Sequence, residues 1–240
     1  ILGSDKKRLS KRHGATSVLE FREQGYLPEA FINYLVRLGW SLGDQEIFSC
    51  DEIIKNFSIE NLNLSSAVLN PEKMLWTNQE YIMKGDAGRL LELLEERLRA
   101  RGLAPELLSP EARLGVVEEL RTRAKTLEEL ADGAAFFFSP GVTLDEKAAA
   151  KFLISDIAAP LGRVREAIAG VEPFAPEGIK EVFEGVLEAE DMKLGKLAQP
   201  VRVAITGGTK SPGIFETLAL LGKERSLERL DAALARIENP

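Results

Sequence analysis

Apolar residues recur along most of this chain at the three- and four-residue spacing of helix faces, and Pro, Ser, Thr or Asn stands where each run begins. Leu27-Pro28-Glu29 puts a proline in a first helical turn; Phe31, Leu35 and Leu38 follow, and Gly39 stops the run. Ser49-Cys50-Asp51-Glu52 has the capping-box pattern ahead of Ile53, Ile54 and Phe57. Asn70-Pro71-Glu72 opens a helix through Trp76, and Ala87 to Arg101 carries the stripe Leu90, Leu91, Leu94 and Leu98. Ser109-Pro110-Glu111 starts a helix running to about Arg123. Thr126-Leu127-Glu128-Glu129 and Thr143-Leu144-Asp145-Glu146 read as two further capping boxes. Ala175-Pro176-Glu177 leads into Ile179, Val182, Phe183, Val186 and Leu187, and Ser211-Pro212-Gly213 into Phe215, Leu218 and Leu221. Ser226 precedes a last face of Leu227, Leu230, Leu234 and Ile237. Val201 to Thr206 suits a short strand by its branched residues or a helix following Pro200; its helical neighbours favour the helix. The expected fold class is all-α, built from helix pairs on short loops. Boundaries are expected near Gly85 and at Ser139-Pro140-Gly141.

Composition narrows this little. At 240 residues, 45% apolar and 29% charged, the chain can bury a core without staples. It has no long apolar run, so no membrane span is expected, and its first residues have no signal-peptide pattern. One cysteine, Cys50, and one histidine, His13, exclude a disulfide framework and a Cys/His metal site within the chain, and a reducing cytoplasm fits. The net charge is −7, yet Lys6, Lys7, Arg8, Lys11 and Arg12 lie close together, so an acidic chain can still present a positive face. It opens on Ile1-Leu2-Gly3-Ser4 without a methionine, and a piece of a longer protein is expected.

Three groups of residues could carry chemistry. Arg8, Leu9, Ser10, Lys11 and Arg12 combine cations with a hydroxyl, a set suited to clamping a polyphosphate whose charge shifts as pyrophosphate leaves; the plain alternative is a solvated basic stretch. Arg121-Thr122-Arg123 ends a helix, where two arginines could sit on a solvated face, paired with Glu118 or Glu119 in ordinary ion pairs. Arg202 and the Ser211-Pro212-Gly213 helix start could contact a phosphate or base, or simply cap a helix. Trp40, Trp76 and the run Phe136, Phe137, Phe138 are expected in the core, since each lies within an apolar helical stripe.

The run Arg8-Leu9-Ser10-Lys11-Arg12-His13-Gly14 resembles the second signature loop of class I aminoacyl-tRNA synthetases in the form it takes in bacterial-type glutamyl-tRNA synthetases. Ordered blocks downstream resemble that family too: Gly25-Tyr26-Leu27-Pro28-Glu29-Ala30, Leu38-Gly39-Trp40-Ser41, Lys73-Met74-Leu75-Trp76-Thr77-Asn78, Lys193 through Arg202, and Ser211 through Glu216. The resemblance covers essentially all of the chain and corresponds to the family's C-terminal half. It departs at Arg8, where lysine is usual; a planar guanidinium and a point-charge ammonium are not interchangeable at a phosphate.

The resemblance implies a tRNA-binding piece of a glutamate–tRNA ligase that uses ATP and Mg²⁺. Lys11 would be catalytic and Arg8, Leu9, Ser10, Lys11 and Arg12 would hold ATP, while Arg123, Arg202, Ser211, Pro212 and Ile214 would contact the tRNA anticodon. Residues 1–82 would hold the loop and a stem-contact domain, with anticodon-binding subdomains at 83–139 and 140–240. The family's first signature, a His-x-Gly-His-type motif, has no match here, so the piece alone is expected to be inactive and to hold no cofactor or metal. Glutamate tRNA, glutamate and ATP are the expected partners, in a cytoplasmic monomer with no membrane contact. The alternative from another class is a helical protein-interaction module with a basic arm.

Overall fold

The computed structural model describes the whole chain except Ser4, residues 9–16, Leu64, Asn239 and Pro240. Leu9, Ser10, Lys11, Arg12 and His13 therefore lie outside the described residues. Among the described residues the protein is all-α: helices and short 3₁₀ turns on short loops, with strand-like pairing limited to isolated bridges from Leu2 to Arg8 and Val68. Among the described residues no helix is long and apolar enough to cross a membrane.

The chain divides into two compact units, Ile1–Arg97 with Leu120–Asp132 and Leu98–Glu119 with Gly133–Pro240. The first contains α1 (Val18–Glu23), α2 (Pro28–Arg37), α3 (Cys50–Asn56), α4 (Pro71–Lys84), most of α5 (Ala87–Ala100) and, after α6 (Pro110–Arg121), most of α7 (Leu127–Ala134). Here α2 packs on α3 and α4. The Ser49 capping box forms as read: its hydroxyl accepts from Glu52 N and the Glu52 carboxylate accepts from Ser49 N at 2.7 Å. Trp40, Phe48 and Ile53 make a buried cluster with Val36 and Leu62 against it, each large side chain contributing about 1.5–3 kcal/mol by leaving water. Trp76 departs from expectation. It is 41% exposed, whereas Met74, Asn78 and Ile82, four residues apart, form the buried face of α4.

The second unit holds the beginning and most of α6, then α8 (Glu146–Phe152), α9 (Ala158–Ala169), α10 (Pro176–Ala189), α11 (Leu194–Thr206), α12 (Ile214–Leu221) and α13 (Lys223–Glu238). Helix α9 packs between α10 and α13, and α11 packs on α8, α12 and α13. Phe137 and Phe138 are fully buried, as expected. Helix α9 has no side-chain cap and is entered from a 3₁₀ turn at Ser155–Ile157, so its start leaves no signature in the sequence.

Two expected starts move. At α8 the cap is Asp145, which accepts from Ala148 N at 2.7 Å, rather than Thr143. Asp145 N donates to Gly207 O at 2.8 Å, which holds this stretch extended along the end of α11. Helix α13 begins at Lys223, ahead of Ser226, because Gly222 (φ +88) already breaks the chain from α12.

Two arginines on α13 tie this unit together. Arg229 Nη2 donates to the carbonyls of Phe136 (2.8 Å) and Ser139 (2.7 Å) and Nη1 to that of Ile205, while Arg225 donates to Phe137 O (2.8 Å) and Ser139 O (2.7 Å). Burial pushes the Arg229 pKa down to about 10, which leaves the guanidinium charged at neutral pH.

Candidate nucleic-acid interface

Arg121 and Arg123 are two residues apart and have opposite fates. Helix α6 ends at Arg121, which is 9% exposed and donates to the carbonyls of Met83 and Gly85 (2.8 Å to the latter) at the C-terminal end of α4. There it satisfies carbonyls that the helix leaves unpaired and places a cation at the negative end of the helix dipole. The expectation of a solvated arginine pair is thus corrected: Arg121 belongs to the fold. Arg123 is exposed on the turn that follows, its N–H bonded to Leu120 O at 2.9 Å and that of Ala124 to the same oxygen at 3.2 Å.

The turn carrying Arg123 is pinned on its far side. Lys125 N donates to Glu129 Oε2 at 2.7 Å and Glu129 N to Thr126 Oγ1 at 3.1 Å. The capping box expected at Thr126 is therefore split, its return bond landing one residue early. Leu127 N donates to Gly25 O at 2.9 Å. Gly25 has φ +85, and a Cβ there would lie 2.6 Å from Glu128 N, so only glycine fits. Asn78 completes the arrangement: its Oδ1 accepts from Leu27 N at 2.8 Å and its Nδ2 donates to Lys125 O at 2.6 Å. No capping or charge motif marks Asn78 as a positioning residue; its signal in the sequence is a polar residue in register with Met74 and Ile82 on an otherwise apolar face.

In the second unit, Arg202, Ser211, Pro212 and Ile214 come together around one turn. Helix α11 runs through Pro200 rather than beginning after it, and neighbouring packing holds Pro200 buried despite the backbone bond it cannot donate. It closes at Gly207, in the left-handed region at φ +82, where a Cβ would lie 2.3 Å from Thr143 O. The Arg202 Nε donates to Ser211 Oγ at 2.9 Å, and Ser211 Oγ donates to Pro212 O at 2.9 Å. Thr217 Oγ1 reaches Ser211 Oγ at 3.3 Å and Gly213 O at 2.7 Å. Ser211 is thus a bridge between α11 and α12, and Gly213 rather than Ser211 holds the cap position of α12. Pro212 and Ile214 are buried, the latter 5% exposed, and form the apolar side of the turn.

Arg123 lies in the first unit and the Arg202 group in the second. Arg8 is exposed, in an antiparallel bridge with Leu2; the rest of its loop is outside the described residues.

Residues 89–234 match the family model of the anticodon binding domain, and residues 1–76 match that of the catalytic domain of class I tRNA synthetases (E and Q). The chain is 48% identical to the glutamate–tRNA ligase of Syntrophotalea carbinolica over 237 residues, 99% of this chain and 50% of that protein. The glutamate–tRNA ligase of Geotalea uraniireducens is 48% identical over 235 residues, 98% of this chain and again 50% of its own length. Among solved structures, a crystal structure of a glutamate tRNA ligase from Elizabethkingia meningosepticum in complex with its amino acid superposes with a TM-score of 0.86 at 30% identity, covering 99% of this chain and 50% of that one. The chain therefore spans about half the length of the relatives it matches. The resemblance read from the sequence is borne out, and since the anticodon-domain match takes in residues 89–234, with the Arg123 turn and the Arg202–Ser211 bridge both inside it, the chain belongs to the anticodon-binding domain family.

Proposed function

We propose that this chain is the tRNA-reading part of a glutamate–tRNA ligase. The observation that carries the reading is its likeness, along nearly its whole length, to proteins named as such ligases. Two arginines support it: Arg123 exposed on a pinned turn, and Arg202 of α11 held by Ser211. A guanidinium can donate paired hydrogen bonds to a splayed base edge and stack on its face, which suits an unstacked anticodon. Arg123 and Arg202 would supply such contacts, with Ser211 as hydroxyl partner. Pro212 and Ile214 would shape the turn and offer its backbone. Residues 1–82 would lie against the tRNA stem, and 83–139 and 140–240 would form the two anticodon-binding parts.

In the intact enzyme a glutamate carboxylate oxygen would attack the α-phosphorus of ATP, expelling pyrophosphate and leaving glutamyl-adenylate. A ribose hydroxyl of the terminal tRNA adenosine would then take the acyl group and release AMP. Lys11 would follow the charge on the departing phosphates, with Arg8, Leu9, Ser10 and Arg12 completing the loop and Mg²⁺ arriving with ATP. The protein would act as a cytoplasmic monomer.

The test is binding of the 240-residue chain to a glutamate tRNA transcript and to one with substituted anticodon bases, each at two salt concentrations, with Arg123→Ala beside the wild type. The reading expects tighter binding to the unaltered anticodon, weakening with salt as counterions return to the phosphates, and loss of the preference in Arg123→Ala. Equal binding of both transcripts by the wild type would overturn it.

A further inference from the structure

We propose that Lys147 and Lys151 form a phosphate subsite for an RNA strand beside the Arg202–Ser211 pair, an inference that rests on the tRNA-reading function proposed above. The two lysines are four residues apart on α8 and so share one face. Both line an open pocket of about 430 Å³ together with Asp145, Phe152, Gln199 and Thr209, a size within the roughly 300–1,000 Å³ of ligand sites. Two walls of this pocket lead directly to the candidate interface. Gln199 precedes Arg202 by one helical turn of α11, and Thr209 stands two residues before Ser211 in the connecting turn.

The charge around the pocket is unbalanced. Here the adjacent acids are already engaged: Glu146 with Arg236 at 2.6 Å, and Asp145 as the cap of α8. Among the described residues no ion pair engages Lys147 or Lys151; the Lys151 ammonium lies 5.1 Å from the centre of the Phe152 ring. Lys147 and Lys151 outnumber Asp145 in the lining, and an ammonium can hold a phosphodiester oxygen as a point charge. Gln199 Oε1 is buried beside them without a hydrogen-bond partner among the described residues, an acceptor that a ribose hydroxyl would satisfy after a side-chain rotation. A strand with one base at Arg202 would carry its neighbouring phosphate along α11 into this pocket.

The test compares wild type with Lys147→Gln/Lys151→Gln in binding a glutamate tRNA transcript at two salt concentrations, with the anticodon-substituted transcript in parallel. Each single-strand phosphate contact contributes about 0.7 to the salt slope, so the double variant should bind more weakly at low salt, with a deficit that shrinks about threefold per lost contact when salt rises fourfold. Its preference between anticodons should stay unchanged, because phosphate contacts carry no base information. Lys147→Glu/Lys151→Glu should deepen the loss. Both lysines are exposed, and unfolding midpoints matching the wild type would exclude a folding defect. If the wild type prefers the unaltered anticodon but the glutamine variant keeps its affinity and salt slope, the phosphate subsite is overturned and the tRNA-reading function stands. A wild type without anticodon preference overturns both.

Discussion

The side-chain amide of Asn78 on α4 donates a 2.6 Å hydrogen bond to the backbone carbonyl of Lys125, two residues beyond the exposed Arg123. Asn78 is fully buried, and its other amide atom accepts from Leu27 N at 2.8 Å, so one residue fixes both the entry to α2 and the turn carrying Arg123. Asn78→Ala would leave Leu27 N and Lys125 O without partners inside the first unit. At about 1–3 kcal/mol for each unsatisfied buried group, we expect a loss of about 2–5 kcal/mol in urea unfolding. Asn78→Asp keeps the acceptor but loses the amide donor, and it should fall between wild type and Asn78→Ala. Wild-type stability in Asn78→Ala would show that water replaces both bonds.

Gly207 and Gly208 are neighbours with different tolerance. An alanine at 207 would have to hold φ +82 with its Cβ against Thr143 O, while a Cβ at 208 meets nothing within 4 Å. Gly207→Ala should lower stability by at least about 2 kcal/mol through strain and displacement of the 143–145 segment. Gly208→Ala should stay within about 1 kcal/mol of wild type. Thermal unfolding of the pair measures the difference directly, and equal midpoints would refute the steric account.

Arg229 is buried with carbonyls, not carboxylates, as partners. Arg229→Lys keeps a charge but cannot span Ile205, Phe136 and Ser139 at once, since an ammonium lacks the planar fork. A loss of about 2–4 kcal/mol is expected in denaturant unfolding. Arg229→Met should cost about as much or more, because it supplies no donor at all. If Arg229→Lys unfolds at the wild-type midpoint, the fork geometry has no part in holding α13.

Glu46 accepts from Arg37 through both carboxylate oxygens, at 3.0 and 3.1 Å, with Lys73 Nζ at 2.9 Å. The hydrogen bonds from Arg37, foremost, hold its carboxyl below the usual 4.5. Because the folded-state pKa is the lower one, the associated stability is present above about 4.5 and is lost as pH falls through the folded value. Glu46→Gln should therefore lower stability at pH 7 by about 1 kcal/mol or less, given partial exposure. The gap to wild type should close as pH falls below 4.5. Unfolding midpoints between pH 3 and 7 check this, and a gap that does not vary with pH would mean the carboxyl is not the source.

Local chemistry carried much of this protein into its sequence. Pro28, Pro71, Pro110 and Pro176 mark helix starts because a ring-fixed φ suits a first turn and the missing N–H has no partner to lose there. The Ser49 box and the Leu90, Leu94, Leu98 stripe were legible for the same reason, since cap and face are settled within one or two turns. The ordered blocks around Trp40, Trp76 and Arg202 made the family legible as well.

Tertiary structure decided which side chains those helices would bury and which groups would meet. Trp40, in the loop after α2, went into the core and Trp76, on α4, to the surface, although both were expected in the core. Arg121 was drawn inside by carbonyls 36 and 38 residues away, while Arg123 stayed out. Arg229 found Phe136 across a separation of 93 residues. Periodicity reports the local helix and its apolar stripe, but burial is set by whichever surface arrives opposite. A buried donor or acceptor goes where an unpaired partner from elsewhere in the chain must be satisfied, and no local pattern encodes that partner's position.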